Sequence, residues 1–200
     1  MIDQLEMMNK QSFVEFIKMH SPATNDVIEE IVTKFQTHKV EKDSFFLKQG
    51  ELSDVYLFLE SGIMRSYTFD MDGNEITTNF FKPNSVVFEV ASFFNRSKSL
   101  ESIQALTDCY GYSIRYLELN ELFHSIPEFR EFGRSLLVKG YVALKQRTLS
   151  VIHETAEERY IQLLESNEAI FQHASLKSIA SYLGITDTSL SRIRSNFYKK

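Results

Sequence analysis

The sequence predicts an α+β chain in which helices at both ends enclose an antiparallel β-roll of jelly-roll type. Three observations carry this. Apolar residues recur at helical spacing over residues 10–37, at a spacing of two from Val40 to Leu117, and at helical spacing again beyond Leu117. The middle stretch is broken by Gly, Pro, Asn and Asp clusters at the intervals that short hairpin-connected strands require. The composition, 43% apolar and 24% charged over 200 residues, is that of an ordinary globular chain with enough apolar content for one large domain or two small ones.

In the opening stretch Pro22 separates two helices, and Ile28, Ile31, Val32 and Phe35 share one face of the second. The strands follow. Phe45-Phe46-Leu47 stops at Gln49-Gly50, and Val55-Tyr56-Leu57-Phe58-Leu59 stops at Ser61-Gly62. Ile63 to Phe69 runs into the turn-rich Asp70-Met71-Asp72-Gly73-Asn74, and Ile76 to Phe81 stops at Lys82-Pro83-Asn84. Val86-Val87-Phe88, Ile103 to Thr107 and Tyr110 to Leu117 complete the set. Most of the 17 Phe precede the last third, which predicts that the β-part holds the main core.

Beyond Leu117, Asn120 is expected to cap a short helix containing Leu122 and Phe123. Pro127 then opens a long helix, with Glu128 in its first turn and no later proline to break it. Phe129, Phe132, Leu136, Ala143, Leu144 and Val151 form a stripe along it, over about 25 residues, longer than one β-domain covers. Such a stripe fits pairing with a second copy, with Gly140 and Ala143 allowing close approach and Arg147 on the same helix. The alternative is a helix packed on its own domain. Thr155 to Ser166 reads as a further helix with Ala156, Tyr160, Leu163 and Leu164 inward, and Asn167 to Ala174 as a polar loop. The expected division is 1–126 for the roll, 127–153 for the long helix and 154–200 for a terminal helical domain.

The segment from Leu176 to Arg194 is the most informative. With Leu176 as the first place, a small residue stands at the fifth (Ala180), where two helices cross closely, and a glycine at the ninth (Gly184), where a turn needs positive φ. Places four, eight, ten, fifteen and eighteen are Ile179, Leu183, Ile185, Leu190 and Ile193, all apolar. These seven matches predict a helix-turn-helix. Thr186 is placed to cap its second helix, over residues 187–196. That helix would present Asp187, Thr188, Ser191 and Arg192, with Ser189 beside them, to a DNA major groove. Arg192 suits a bidentate bond to guanine, and the Thr186 and Thr188 hydroxyls suit phosphate. The net charge of −5 does not favour nucleic acid, but the end of the chain gathers Arg192, Arg194, Lys199 and Lys200 against Asp187 alone.

Roll, long helix and helix-turn-helix in this order resemble the Crp/Fnr family of dimeric transcription regulators, whose sensor is a cyclic-nucleotide-binding-type domain. Phe46-Leu47-Lys48-Gln49-Gly50-Glu51 and Val55 to Gly62 resemble that domain's early strands and glycine turns, and Ile114 to Leu117 with Leu122, Phe123 and Pro127 its exit into the long helix. The resemblance implies double-stranded DNA, a second copy of the chain and RNA polymerase as partners. It also implies an effector pocket at Phe88, Glu89, Ser99, Leu100 and Ser102. Here the chain departs from the cyclic-nucleotide binders. Phe88 stands where a glycine precedes the ribose-binding glutamate, and Lys98-Ser99-Leu100-Glu101-Ser102 lacks the phosphate-binding arginine, with Arg96 and Lys98 as the nearby cations. An Arg–phosphate bond contributes about 1.5–3 kcal/mol, so tight cyclic AMP binding is not expected. Little or no wing is expected after the helix-turn-helix.

Other functions find less support. Cys109 is the single cysteine, too few for an iron–sulfur cluster and in keeping with a reducing cytoplasm. The start Met1 to Glu6 lacks a secretory signal pattern, and no apolar run is long enough to span a membrane. Residues 40–117 hold no histidine, which removes a metal-dependent barrel enzyme, and His20, His38, His124, His153 and His173 are scattered. No enzyme, metal or cofactor is expected. The competing reading is a dimeric ligand-sensing or interaction module without specific DNA binding.

Overall fold

A computed structural model describes residues 10–197; Met1 to Glu6 and the basic pair Lys199 and Lys200 lie outside them. Two helices come first, α1 (Gln11–His20) and α2 (Asn25–Thr33). Strands β1 (Gln36–Val40), β2 (Phe45–Leu47), β3 (Val55–Ser61), β4 (Met64–Phe69), β5 (Glu75–Phe81) and β6 (Ser85–Val87) follow. After the short helix α3 (Val90–Asn95) come β7 (Ser102–Ala105) and β8 (Cys109–Arg115). The rest is helical: α4 (Tyr116–Ser125), α5 (Pro127–His153), α6 (Ala156–Ser166), α7 (Glu168–His173), α8 (Leu176–Leu183) and α9 (Asp187–Phe197).

Two four-stranded sheets, ordered β1-β8-β3-β6 and β2-β7-β4-β5, face each other, and every ladder is antiparallel. Strand β3 shows how the sequence specifies the layers. Leu57 and Leu59 point into the roll with Met64, Val87, Ile103 and Ala105, while Tyr56 and Phe58 point out beneath the helices. Burial on both faces is why this strand reads as an unbroken apolar run.

The aromatic core does not lie inside the roll, as the distribution of Phe suggested. The buried cluster inside the roll is mainly aliphatic, with Phe46 and Phe81 at its margin, and most of the buried phenylalanines fill the layer between the first sheet and α1, α2, α4 and the start of α5. Phe13 stacks on Phe58 at 4.6 Å and meets Phe35 edge-on at 4.7 Å, and Phe129 stacks on Phe132 at 5.3 Å. Each such pair adds about 0.5–1.5 kcal/mol beyond area burial.

Three expectations need correction. Asn120 does not cap a helix: α4 starts earlier, at Tyr116, where the Arg115 N–H donates to the Glu118 carboxylate at 3.3 Å. The polar loop at Asn167 to Ala174 is largely the short helix α7, because Ile170 is buried and Phe171 packs edge-on against Tyr160 at 5.3 Å. The stripe on α5 divides in two. Phe129 and Phe132 are fully buried in their own subunit and Leu136 packs on the same core. Gly140, Ala143 and Leu144 are exposed, together with Leu137, Val138, Tyr141, Val151 and Ile152. Among the described residues no helix is long and apolar enough to cross a membrane.

Candidate nucleic-acid interface and effector pocket

The terminal head is built locally. Ser175 caps α8, its Oγ accepting from the Ser178 N–H at 3.0 Å. Gly184 ends α8 at φ 69°, and its turn returns Ile185 N–H to the Ala180 carbonyl at 3.0 Å. A side chain at positive φ is strained, which is why glycine stands here. Thr186 caps α9, its Oγ1 accepting from the Ser189 N–H at 3.2 Å. Arg159 of α6 donates twice to the Leu183 carbonyl, at 3.2 and 3.0 Å, satisfying a helix-end acceptor that has no intrahelical partner.

Ile179, Ala180, Leu183 and Leu190 are buried with Tyr160, Leu163 and Ile170, and Ile185 and Ile193 pack against them. The seven spaced residues therefore all point inward or into the turn. Asp187, Thr188, Ser191 and Arg192 lie together on the exposed side of α9. Ser189 is half-buried, its hydroxyl 3.0 Å from that of Thr186, so it belongs to the cap more than to the presented face. Among the described residues no strand follows α9.

The residues expected to line an effector pocket are not gathered around one. Phe88 sits in the aromatic layer, 5.1 Å from Tyr56 and 5.2 Å from Phe93. Glu89 caps α3, its two carboxylate oxygens accepting from Ala91 N–H at 3.0 Å and Ser92 N–H at 2.6 Å. The Ser99 hydroxyl is held by its own loop, donating to the Glu101 carbonyl at 2.7 Å. The Ser102 hydroxyl accepts from Gln49 N–H at 3.0 Å. Leu100 is 75% exposed and lines no interior, because its carbonyl, not its side chain, is what meets Thr68. Nor does Arg96 replace the missing arginine: it pairs with Asp54 at 2.5 Å and lies over the Tyr116 ring at 3.9 Å.

Sequence reasoning missed the polar wall inside the roll. Ser66 and Thr78 share a hydrogen bond of 2.7 Å, and half-buried Glu101 sits beside them. Burial pushes the Glu101 carboxyl above its ordinary value; the Glu89 charge adds to this, while the two hydroxyls and Arg147 pull it down. A negative charge here opposes a phosphate. A separate open cleft of ≈ 580 Å³ lies where the end of α5 meets α6 and α8, lined by Arg147, His153, Glu154, Arg159 and Tyr182.

Comparison with known proteins agrees with this layout. The cyclic nucleotide-binding domain family matches residues 37–125. Transcriptional activator protein Anr of Pseudomonas protegens is 25% identical over 183 residues, covering 86% of this chain and 73% of that protein. The Anaerobic regulatory protein of Haemophilus influenzae is 21% identical over 80% of this chain and 66% of its own length. Among solved structures, FixK2 from Bradyrhizobium japonicum superimposes with a TM-score of 0.71 at 18% identity, over 82% of this chain and 85% of its own. CLP of Xanthomonas campestris, a c-di-GMP responsive regulator, gives 0.68 at 15% identity, over 88% and 92%. A cyclic nucleotide-binding-type domain leading through one long helix to a helix-turn-helix head is thus the fold that the chain shares with these solved structures.

Proposed function

We propose that this chain is a transcription regulator of the Crp/Fnr type, acting in the cytoplasm as a homodimer that binds an inverted repeat in double-stranded DNA, with one α9 in each half-site. The observation that carries the proposal is the exposed face of α9. Leu190 is buried and Ile193 packs beside it, and the first two turns direct outward an aspartate, two hydroxyls and Arg192, side chains that fit a major groove. The half-sites should then lie about one helical turn apart, roughly 34–36 Å.

Pairing through α5 is supported by the row Leu137, Tyr141, Leu144 and Val151, each exposed and spaced by three, four or seven residues. Such a seam buried against its copy would remove a continuous apolar strip from water. This seam replaces Phe129 and Phe132, which are already spent on the subunit core.

We further propose that the roll does not take cyclic AMP tightly. The glutamate expected on ribose is committed to capping α3, no arginine stands at the phosphate place, and Glu101 faces Ser66 and Thr78 in the roll. Calorimetry is expected to show no micromolar binding of cyclic AMP; a Kd in that range contradicts the reading. The DNA proposal is tested by gel shift on the region upstream of the protein's own gene. Retarded, salt-sensitive complexes with an inverted repeat are expected.

A further inference from the structure

We propose that Arg65 and Arg147 form a polar clasp that locks the helix-turn-helix head onto edge strand β5 and opens to let the head move. The contact begins at Arg65 on β4. Its side chain is almost fully buried and donates to Ser178 Oγ of α8 at 2.9 Å, to Glu75 Oε2 at 2.5 Å and to Gln104 Oε1 at 3.2 Å. One turn further along α8, the Ser181 hydroxyl accepts from the backbone N–H of Thr77, at the outer edge of β5, at 3.1 Å. Arg147 of α5 closes the other end. It donates to the Tyr182 carbonyl at 3.0 Å and to the Thr78 carbonyl, and its guanidinium lies 4.0 Å from the centre of the Tyr182 ring. Tyr182 in turn leans on Phe80 of β5 at 5.1 Å.

Among the described residues this seam is made largely of charges and hydrogen bonds, with Phe80 and Tyr182 as its apolar part. Water can replace nearly all of it, so the two faces part at lower cost than an apolar core would. The docked form also carries its own penalties: Arg65 Nε and Thr77 Oγ1 are buried and have no hydrogen-bond partner among the described residues. Both features mark a contact that is held but separable.

Thr78 connects the clasp to the inside of the roll. Its hydroxyl meets Ser66 Oγ at 2.7 Å on the interior wall beside Glu101, while its carbonyl holds Arg147. A ligand or a charge change at that wall moves the residue on which Arg147 rests. Because α8 and α9 share one core, a released α8 carries α9 with it.

Hydrogen exchange on the full chain without DNA tests this at the Thr77 amide, whose acceptor belongs to the head. In Arg65→Gln, exchange at Thr77 is expected to rise about tenfold or more, the scale of losing a charge-assisted bond, while β3 and β8 keep their protection. Ser178→Ala removes one acceptor without leaving Arg65 short of carboxylate, and should give a smaller rise at the same amide. If Arg65→Gln exposes β3 as well, it has unfolded, and Ser178→Ala decides. Unchanged exchange at Thr77 in a folded variant overturns the clasp. The inference goes beyond the DNA-binding reading: failure to bind any duplex leaves the clasp standing, and an unchanged Thr77 leaves the DNA reading standing.

Discussion

Arg192 is the exposed cation in the middle of the presented face of α9, flanked by Thr188 and Ser191. In Arg192→Ala, discrimination at one base pair per half-site is expected to fall by about 1–3 kcal/mol, measured by competition between single-base operator variants, while the head stays folded. Glu101 gives a prediction about pH. Its carboxyl lies above its ordinary value through burial, so the folded chain favours the protonated form. The stability it contributes is full below the ordinary carboxyl value and is lost as pH rises through the raised one. Glu101→Gln is therefore expected to raise the Tm at neutral pH, with the gap closing below about pH 4. Residue by residue, what was legible in the sequence was what local geometry dictates. Ala180 and Gly184 answer to a helix crossing and a positive φ that no distant contact can alter. Leu100 and Arg96 were not legible, because whether a loop residue turns inward is decided by the strands it is tied to, here through the Leu100 carbonyl and the Arg96–Asp54 pair.

At the scale of elements, Gly184 and Gly111 act by different means. A Cβ at Gly184 meets nothing within 4 Å, so Gly184→Ala costs only the strain of φ 69°, about 1–2 kcal/mol. A Cβ at Gly111 would stand 2.0 Å from the Phe58 carbonyl oxygen, across the β3–β8 ladder, so Gly111→Ala forces two central strands apart. Urea melts should separate the two, with a modest loss for the first and a chain that fails to fold at 37 °C for the second. The strands and long helices were readable because each holds its period for several residues and ends at a Gly, Pro or Asn signal. Helix α7, six residues long, is too short to show a helical period, and only the burial of Ile170 against the head makes it one. The start of α4 was misplaced because Asn120 is a good cap in isolation, whereas Glu118 reaching back to Arg115 opens the helix at the end of β8.

For the whole molecule, the placement of the head was the least legible part. An isolated Arg65 in an alternating strand reads as a solvent-facing charge; only the folded chain shows it enclosed by Glu75, Gln104 and Ser178. Likewise the stripe on α5 reads as one seam, yet its first turns serve the subunit's own aromatic layer and its later turns lie open. Tyr141→Asp, placed in the open half, is expected to convert a dimer to a monomer in sedimentation equilibrium while leaving the far-ultraviolet circular dichroism unchanged. The most direct test of the whole account is an anisotropy titration of the wild-type chain and of Arg192→Ala against labelled duplexes from its own upstream region. An inverted repeat bound with two subunits, weakened steeply by salt and losing sequence discrimination in Arg192→Ala, is the predicted result. Equal affinity for that repeat and for scrambled duplex, unchanged in Arg192→Ala, would contradict it.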